Sequence, residues 1–419
     1  MLLCFTVYVI QACLLLRNLM RLYWKSIKEE FMEKRYFSIL LVLSMLMLGL
    51  IRGAMAEEGV TDNMILVGIE GHSGSFSGDE ENFGFEVYVK HVNDQGGIHG
   101  RKILIRSYER KGGFQEGLAN AKRLVEEDKV FCLFNFGGMP LAMALTPYVM
   151  EKKVPYLFPH QGSDTLAGKR YIFTSYPFYK GEADIMLKYL SQTRGFKKIG
   201  IIYADNAYGY IFRDKLKENS SRFGYQVVGE QPIKDMKPLD LTKEIQELKN
   251  AATDALLMAV YVEQAQKTIE AKGKLDWRNV TLVSTGPLTD EQHLNVSGGY
   301  GEGTIGLCLY PDPETSQEPG VIEYRERMKK YHPGKALNRY SLYGHVFAKL
   351  VVEGLKNAGK DLTREGFIEA MEAIKNWNSG GVIPHVSFSK TDHHAQSAGF
   401  IVELKGRKFQ SITGWIETE

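Results

Sequence analysis

"VGIEGHSGSFSGDEENFGFEVYVKHVNDQGGIHGRK", Val67 to Lys102, opens inside an apolar strand pattern and closes on a basic turn. Met64–Ile69 reads as a short buried strand. Glu80–Gln95 places Phe85, Val89 and Val92 at i, i+4 and i+7, which is one face of a helix. Gly96-Gly97 ends that helix, because glycine accepts the left-handed turn at little cost. Lys102–Tyr108 then reads as a second strand. The stretch is therefore a strand–helix–strand unit, with Gly71-His72-Ser73-Gly74-Ser75-Phe76-Ser77-Gly78 at the handover from strand to helix.

Three chemistries compete for that handover. A nucleophile elbow needs G-x-S-x-G, and here Ser75 stands where the last glycine should be. A dinucleotide loop needs G-x-G-x-x-G and a phosphate loop ends in G-K-[ST]; neither pattern is present. What remains is a turn that offers backbone N–H groups and hydroxyls at a helix start, where anions are favoured. Its plain alternative is a solvated turn.

The same alternation runs outward along the chain. Phe114–Glu127 reads as a helix. Val130–Asn135 is a continuous apolar strand of the kind buried on both faces of a parallel sheet. Met139–Lys152 is helical and Pro155–Phe158 is a strand. A second cycle begins after Tyr176-Pro177, with helices at Gly181–Thr193, Tyr208–Phe223, Leu241–Asn250 and Val262–Gly273. Its strands are Lys198–Tyr203, Tyr225–Gly229, Ala255–Val260 and Thr281–Ser284. The tail reads as helices Tyr340–Ala358 and Arg364–Lys375, then a hairpin of Phe400–Leu404 and Phe409–Thr413 across Gly406. Such alternation predicts an α/β protein with two doubly wound parallel-sheet lobes. No low-complexity linker separates them, so the connections are short and ordered.

A formal charge of +2 and the absence of a basic stripe with interleaved aromatics argue against a nucleic-acid partner. The N-terminus carries two apolar runs, Met1–Leu16 and Phe37–Ile51. The second is preceded by Lys34 and Arg35 and followed by Ala54-Met55-Ala56, the three parts of a secretory signal. The sequence thus predicts residues 1–31 as an upstream mis-started segment, 32–56 as a signal peptide, and a periplasmic mature chain from Glu57. No cysteine follows the small residues, so no lipid anchor is expected. The alternative is a two-helix membrane anchor, for which both runs are short. Cys132 and Cys308 read as buried free thiols, with a mutual disulfide as the alternative.

Three strand-end turns fall on one edge of the first lobe: Ser73, Ser75 and Phe76; Gly137, Gly138 and Met139; Gln161, Gly162 and Ser163. Ligands of open α/β sheets bind beyond the carboxyl ends of strands. The second lobe offers Tyr208, Glu263 and Gly286 at its own strand ends, and a carboxylate such as Glu263 suits a ligand ammonium. His385, Asp392, His393 and His394 fit no metal-ligand spacing, and Met139, Met143 and Met150 read as core fillers. No cofactor and no metal are called for. A hydrolase using Ser73 or Ser75 with His72 is the catalytic alternative, and adjacent residues on a turn point apart.

"GFEVYVKHVNDQGGIHGRKILI", "VPYLFPHQGSDTL", "IGIIYADNAYGY" and "VSFSKTDHHA", in that order and spacing, resemble the leucine/isoleucine/valine-binding (type I periplasmic) family of ABC-importer solute-binding proteins. The resemblance runs from about Met64 to Gly414. It implies two lobes joined by three crossings: 57–176 with 309–384, and 177–308 with 385–419. It also implies a small-molecule ligand between the lobes, an inner-membrane ABC permease as partner, and no reaction. Carried over, the contacts fall at Ser75, Gly138, Met139, Gln161, Gly162, Tyr208, Glu263 and Gly286. Gly138-Met139 and Gln161-Gly162 stand where amino-acid binders of the family usually carry small hydroxyl residues. The implied ligand therefore widens to an amino acid, an aromatic acid or an amide. A sensory ectodomain of the same fold is the other reading.

Overall fold

The computed structural model describes residues 15, 17–24, 57–72, 76–111, 113–235, 238–290 and 298–418. Residues 15 and 17–24 are helical and exposed, and belong to a unit of their own. The signal-peptide call at 32–56 lies outside the described residues. Among those described, no helix is long and apolar enough to cross a membrane.

Residues 57–419 carry two sheets. In chain order the strands are β1 (Met64–Glu70), β2 (Lys102–Tyr108), β3 (Cys132–Phe134), β4 (Tyr156–Leu157), β5 (Ile172–Phe173), β6 (Lys198–Ala204), β7 (Gln226–Ile233), β8 (Ala255–Ala259), β9 (Thr281–Ser284), β10 (Ile305–Cys308), β11 (Ala398–Lys405), β12 (Lys408–Ser411) and β13 (Ile416–Glu417). The first sheet has the order β2-β1-β3-β4-β5 and is parallel throughout. The second runs β12-β11-β10-β9-β8-β6-β7, parallel from β10 to β7, with β11 antiparallel to β10 and pairing β12 and β13. The predicted hairpin is therefore the closing edge of the second sheet, turning at Gly406.

Burial explains the strand composition. Phe131, Cys132, Leu133 and Phe134 are wholly buried, as are Leu256 and Met258 in β8. These strands read as continuous apolar runs because helices cover both faces. β5 and the Pro319–Tyr331 helix were not among the expected elements, although Val321, Tyr324 and Met328 of the helix are buried at i, i+3 and i+7. The Gly181–Thr193 helix is observed as Tyr179–Lys188 followed by a wide turn at Tyr189–Thr193. Cys132 and Cys308 are both buried and sit in different sheets, so they do not pair with each other.

The helix of the opening stretch spans Phe76–Asp94 and starts four residues earlier than its apolar periodicity. Its partner is the Arg339–Asn357 helix. A Cβ built on Gly84 would lie 1.9 Å from the Ser341 carbonyl oxygen, and one on Gly344 only 1.7 Å from that of Glu81. The two backbones touch, so both positions require glycine. That close crossing fixes where Glu81 sits.

Three chain segments pass side by side between the sheets. Thr174 N–H donates to His393 O at 3.0 Å, and Ala395 N–H to Thr174 O at 2.9 Å. Gln396 Nε2 donates to Leu309 O at 3.0 Å. His393 stacks on Phe173 at 4.1 Å and meets Glu372 at 3.2 Å, while His394 stacks on Phe178 and meets Thr174. The C-terminal histidines thus serve the junction. Among the described residues, no group of three or more His, Cys, Asp or Glu is placed to hold a metal ion.

Candidate functional site

On the first sheet, the ends of β1, β3 and β4 meet. Glu70 closes β1 and is buried; its Oε1 pairs with Arg110 Nε at 3.2 Å, and its Oε2 accepts the Gly137 N–H at 3.3 Å. Burial raises the Glu70 carboxyl to about 7 against the pull of Arg110. Asn82 spans Glu70 O and Asn135, tying the first and third strand ends together. Gly138 takes φ 83° with open space around its Cβ position, so backbone conformation, not crowding, requires glycine there. Its N–H donates to His160 O at 3.3 Å, which joins the Gly137–Met139 turn to the Gln161–Ser163 turn. Met139 opens the Met139–Lys152 helix and is half-buried.

Gln161 is buried, and its Oε1 accepts the Ser163 N–H. Its Nε2 has no partner among the described residues. Ser163 caps the Asp164–Leu166 turn. Gly162 lies under the Tyr179 ring; an added Cβ would come within 2.8 Å of it. The Gly162 carbonyl accepts from Tyr179 N–H at 2.8 Å. Gly162 is thus the bridge into the second lobe.

There Tyr208 sits at the start of the Ala207–Glu218 helix, whose N-cap Asn206 accepts its N–H. Its ring packs edge-on to Tyr179 at 5.1 Å and tilts against Tyr261 at 5.6 Å, and its hydroxyl meets Thr285 Oγ1 at 2.8 Å. The next residue, Gly286, donates its N–H to Glu182 Oε1 at 2.5 Å. Glu182 is fully buried, and its Oε2 has no partner among the described residues. Burial lifts this carboxyl to about 8, with Gly286 opposing. Tyr340 returns to the first lobe: its hydroxyl donates to Pro287 O at 2.6 Å, and its ring meets Phe76 edge-on at 6.1 Å.

Phe76, Gly162, Tyr208 and Gly286 are therefore linked through Tyr340, Tyr179 and Thr285. Gly137, Gly138, Met139, Gln161 and Ser163 adjoin them on the first-sheet side. Glu263 lies in the first turn of the Val262–Lys274 helix with an exposed side chain. Ser73 and Ser75 lie outside the described residues. His72, the base of the hydrolase alternative, is exposed and pairs with Asp79 at 2.5 Å.

Sequence reasoning missed Glu81, His160, Tyr176, Tyr179 and Glu182. The signal for Glu81 was present: it stands four residues before Phe85 on the same stripe, so an acid occupies a core position and needs a partner. Glu182 stands in the same relation to Met186, one turn on.

A profile of the periplasmic binding proteins matches residues 65–408. The chain is 24% identical over 324 residues to Leu/Ile/Val-binding protein homolog 8 of Brucella abortus, covering 72% of this chain and 78% of that one. Among solved structures it resembles a fatty acid ABC transporter substrate-binding protein from Thermomonospora curvata, with a TM-score of 0.77, 21% identity, and 87% and 95% of the two chains covered. It also resembles a branched-chain amino acid ABC transporter protein from Thermus thermophilus with bound valine, with a TM-score of 0.76, 16% identity, and 85% and 97% covered. With its two sheets, its three adjoining crossings and a profile match that runs through nearly all of both, the chain belongs to the periplasmic binding protein family and has the type I fold.

Proposed function

We propose that the chain is the solute receptor of an ABC importer. It is exported by residues 32–56, works in the periplasm without a lipid anchor, and performs no reaction. Its lobes, 57–176 with 309–384 and 177–308 with 385–419, close on a small amino acid, carboxylate or amide and deliver it to an inner-membrane permease. Closure about hinge segments is a common switching mode of two-lobed binders. The observation that carries the reading is the chain of contacts from Gly162 through Tyr179 and Tyr208 to Gly286, which sets strand-end turns of two sheets against one another. Two buried polar atoms at that junction, Gln161 Nε2 and Glu182 Oε2, have no partner among the described residues. Buried polar groups are nearly always satisfied, so such atoms suit a ligand.

The relatives support a carboxylate-bearing solute without choosing one. One structural neighbour is a branched-chain amino acid ABC transporter protein with bound valine and another is a fatty acid ABC transporter substrate-binding protein; both solutes carry a carboxyl group. A thermal-shift library of amino acids, fatty and aromatic acids, amides and urea tests the proposal. A cognate solute at a hundredfold excess over Kd adds about 2.7 kcal/mol of stability. If no solute in such a library raises the melting temperature, the reading fails.

A further inference from the structure

Ser77, His160 and Glu81 form a relay at the first-lobe rim. Glu81 is fully buried and accepts from His160 Nδ1 at 2.7 and 2.8 Å and from the Tyr176 hydroxyl at 2.5 Å. On the other side of the ring, Nε2 lies 3.2 Å from Ser77 Oγ. His160 also abuts the glycine turn: its Cβ lies 3.2 Å from a Cβ built on Gly137, and its carbonyl holds Gly138.

We propose that an anionic ligand binds against this relay together with one proton, which His160 takes up, and that Ser77 is the hydroxyl through which the charged ring meets the anion. The inference rests on the solute-receptor reading and assigns residues to its anion end. A carboxylate only accepts hydrogen bonds, so the nitrogen facing Glu81 is N–H. The state of the ring is then decided at Nε2. When the ring is neutral, Nε2 accepts and draws the Ser77 proton inward. When the ring is charged, Nε2–H donates to Ser77 Oγ, and the ring no longer holds the serine proton. The second state offers a positive charge and a donor toward the glycine turn; the first offers neither.

The charged groups facing His160 are Glu81 on its own relay, Glu70 at the end of β1, and Arg110 paired with Glu70, with the Tyr176 hydroxyl 3.2 Å from Nδ1. Burial disfavours the charged ring, but Glu81 outweighs it and holds the His160 pKa above its usual value. An anion on the Nε2 side adds a second negative partner and raises it further. The bound protein therefore carries more protons than the free one. Anion affinity is greatest below the free-state pKa of His160 and falls as pH rises through it. The atom order is that of a hydrolytic triad, but the N–H groups of Gly137 and Gly138 are committed to Glu70 and to His160 O. They do not offer the donor pair that acyl transfer needs.

The test is a nitrogen-15 NMR titration of the His160 ring in the whole protein, assigned by comparison with His160→Gln. Acetate serves as probe, because it enters any site that a larger carboxylate fills, and chloride at equal ionic strength is the control. Acetate is expected to raise the midpoint by about one pH unit, and Glu81→Gln to lower the midpoint both with and without acetate. Equal midpoints in acetate and chloride overturn the proposal. For any carboxylate found in the library, Kd should weaken up to about tenfold per pH unit above the free midpoint, and stay flat in His160→Gln. A library ligand that leaves the His160 midpoint unmoved overturns the coupling and leaves the receptor standing; a library without any ligand overturns both.

Discussion

Replacing Glu182 by glutamine should stabilise this protein, and only above pH 5. The side chain is fully buried, takes one hydrogen bond from Gly286 N–H, and has a second oxygen without a partner among the described residues. Its carboxyl is raised from 4.5 to about 8. The folded state therefore holds the proton more tightly than the unfolded chain does. Below pH 4.5 both states are protonated and nothing changes with pH. Above it the unfolded chain ionises first, and the fold loses about 1.4 kcal/mol for each pH unit until the folded pKa is reached. Between pH 5 and pH 8 the accumulated loss amounts to several kcal/mol. Glutamine keeps the shape and still accepts from Gly286, but cannot ionise. Urea unfolding of both proteins at pH 5 and pH 8 reads the difference directly, and the subtraction removes the contribution of Glu70, which both share. The E182Q advantage should grow by several kcal/mol across that range. An advantage that is the same at both pH values refutes the placement of Glu182 as a buried, half-satisfied acid.

Two further outcomes follow from packing. Gly344→Ala drives a methyl group to 1.7 Å from the Glu81 carbonyl oxygen, and the helices must separate at a cost of about 3 kcal/mol or more; thermal unfolding with an unchanged midpoint would contradict the close crossing. Cys132 is wholly buried and its thiol is pushed up to about 12, so a thiol-specific dye should label it only as fast as the protein unfolds, and labelling at the rate of an exposed cysteine would place it wrongly.

The opening stretch carried much of the fold because it holds three independent signals. Its helix has a 3.6-residue stripe at Phe85, Val89 and Val92, its stop is Gly96-Gly97, and its first strand is apolar enough to be largely buried. β5 escaped because two residues, Ile172 and Phe173, set no period, whereas the Pro319–Tyr331 helix was readable from Val321, Tyr324 and Met328 at i, i+3 and i+7 and was overlooked. The turns at the sheet edges were legible from glycine placement. The charged groups that join them were legible only in part: Glu81 and Glu182 each stand one turn before a buried apolar residue of their helix, but His160 and the other partners lie far off in sequence, and only the fold brings them together.

The two buried acids of the junction differ in a way that bears on how a ligand acts. Glu81 is compensated inside the empty protein by His160 and Tyr176. Glu182 is not: one of its oxygens meets Gly286 and the other meets no described group. A compensated pair stabilises the lobe that holds it, whereas an uncompensated carboxyl raises the free energy of the empty site. Any solute that satisfies Glu182 recovers that free energy on binding, and the recovery is available only where Gly286 and Glu182 face the turn at Gly162. On the proposed reading, the first-lobe relay selects the charge of the solute, and the second-lobe acid supplies part of the drive to hold it.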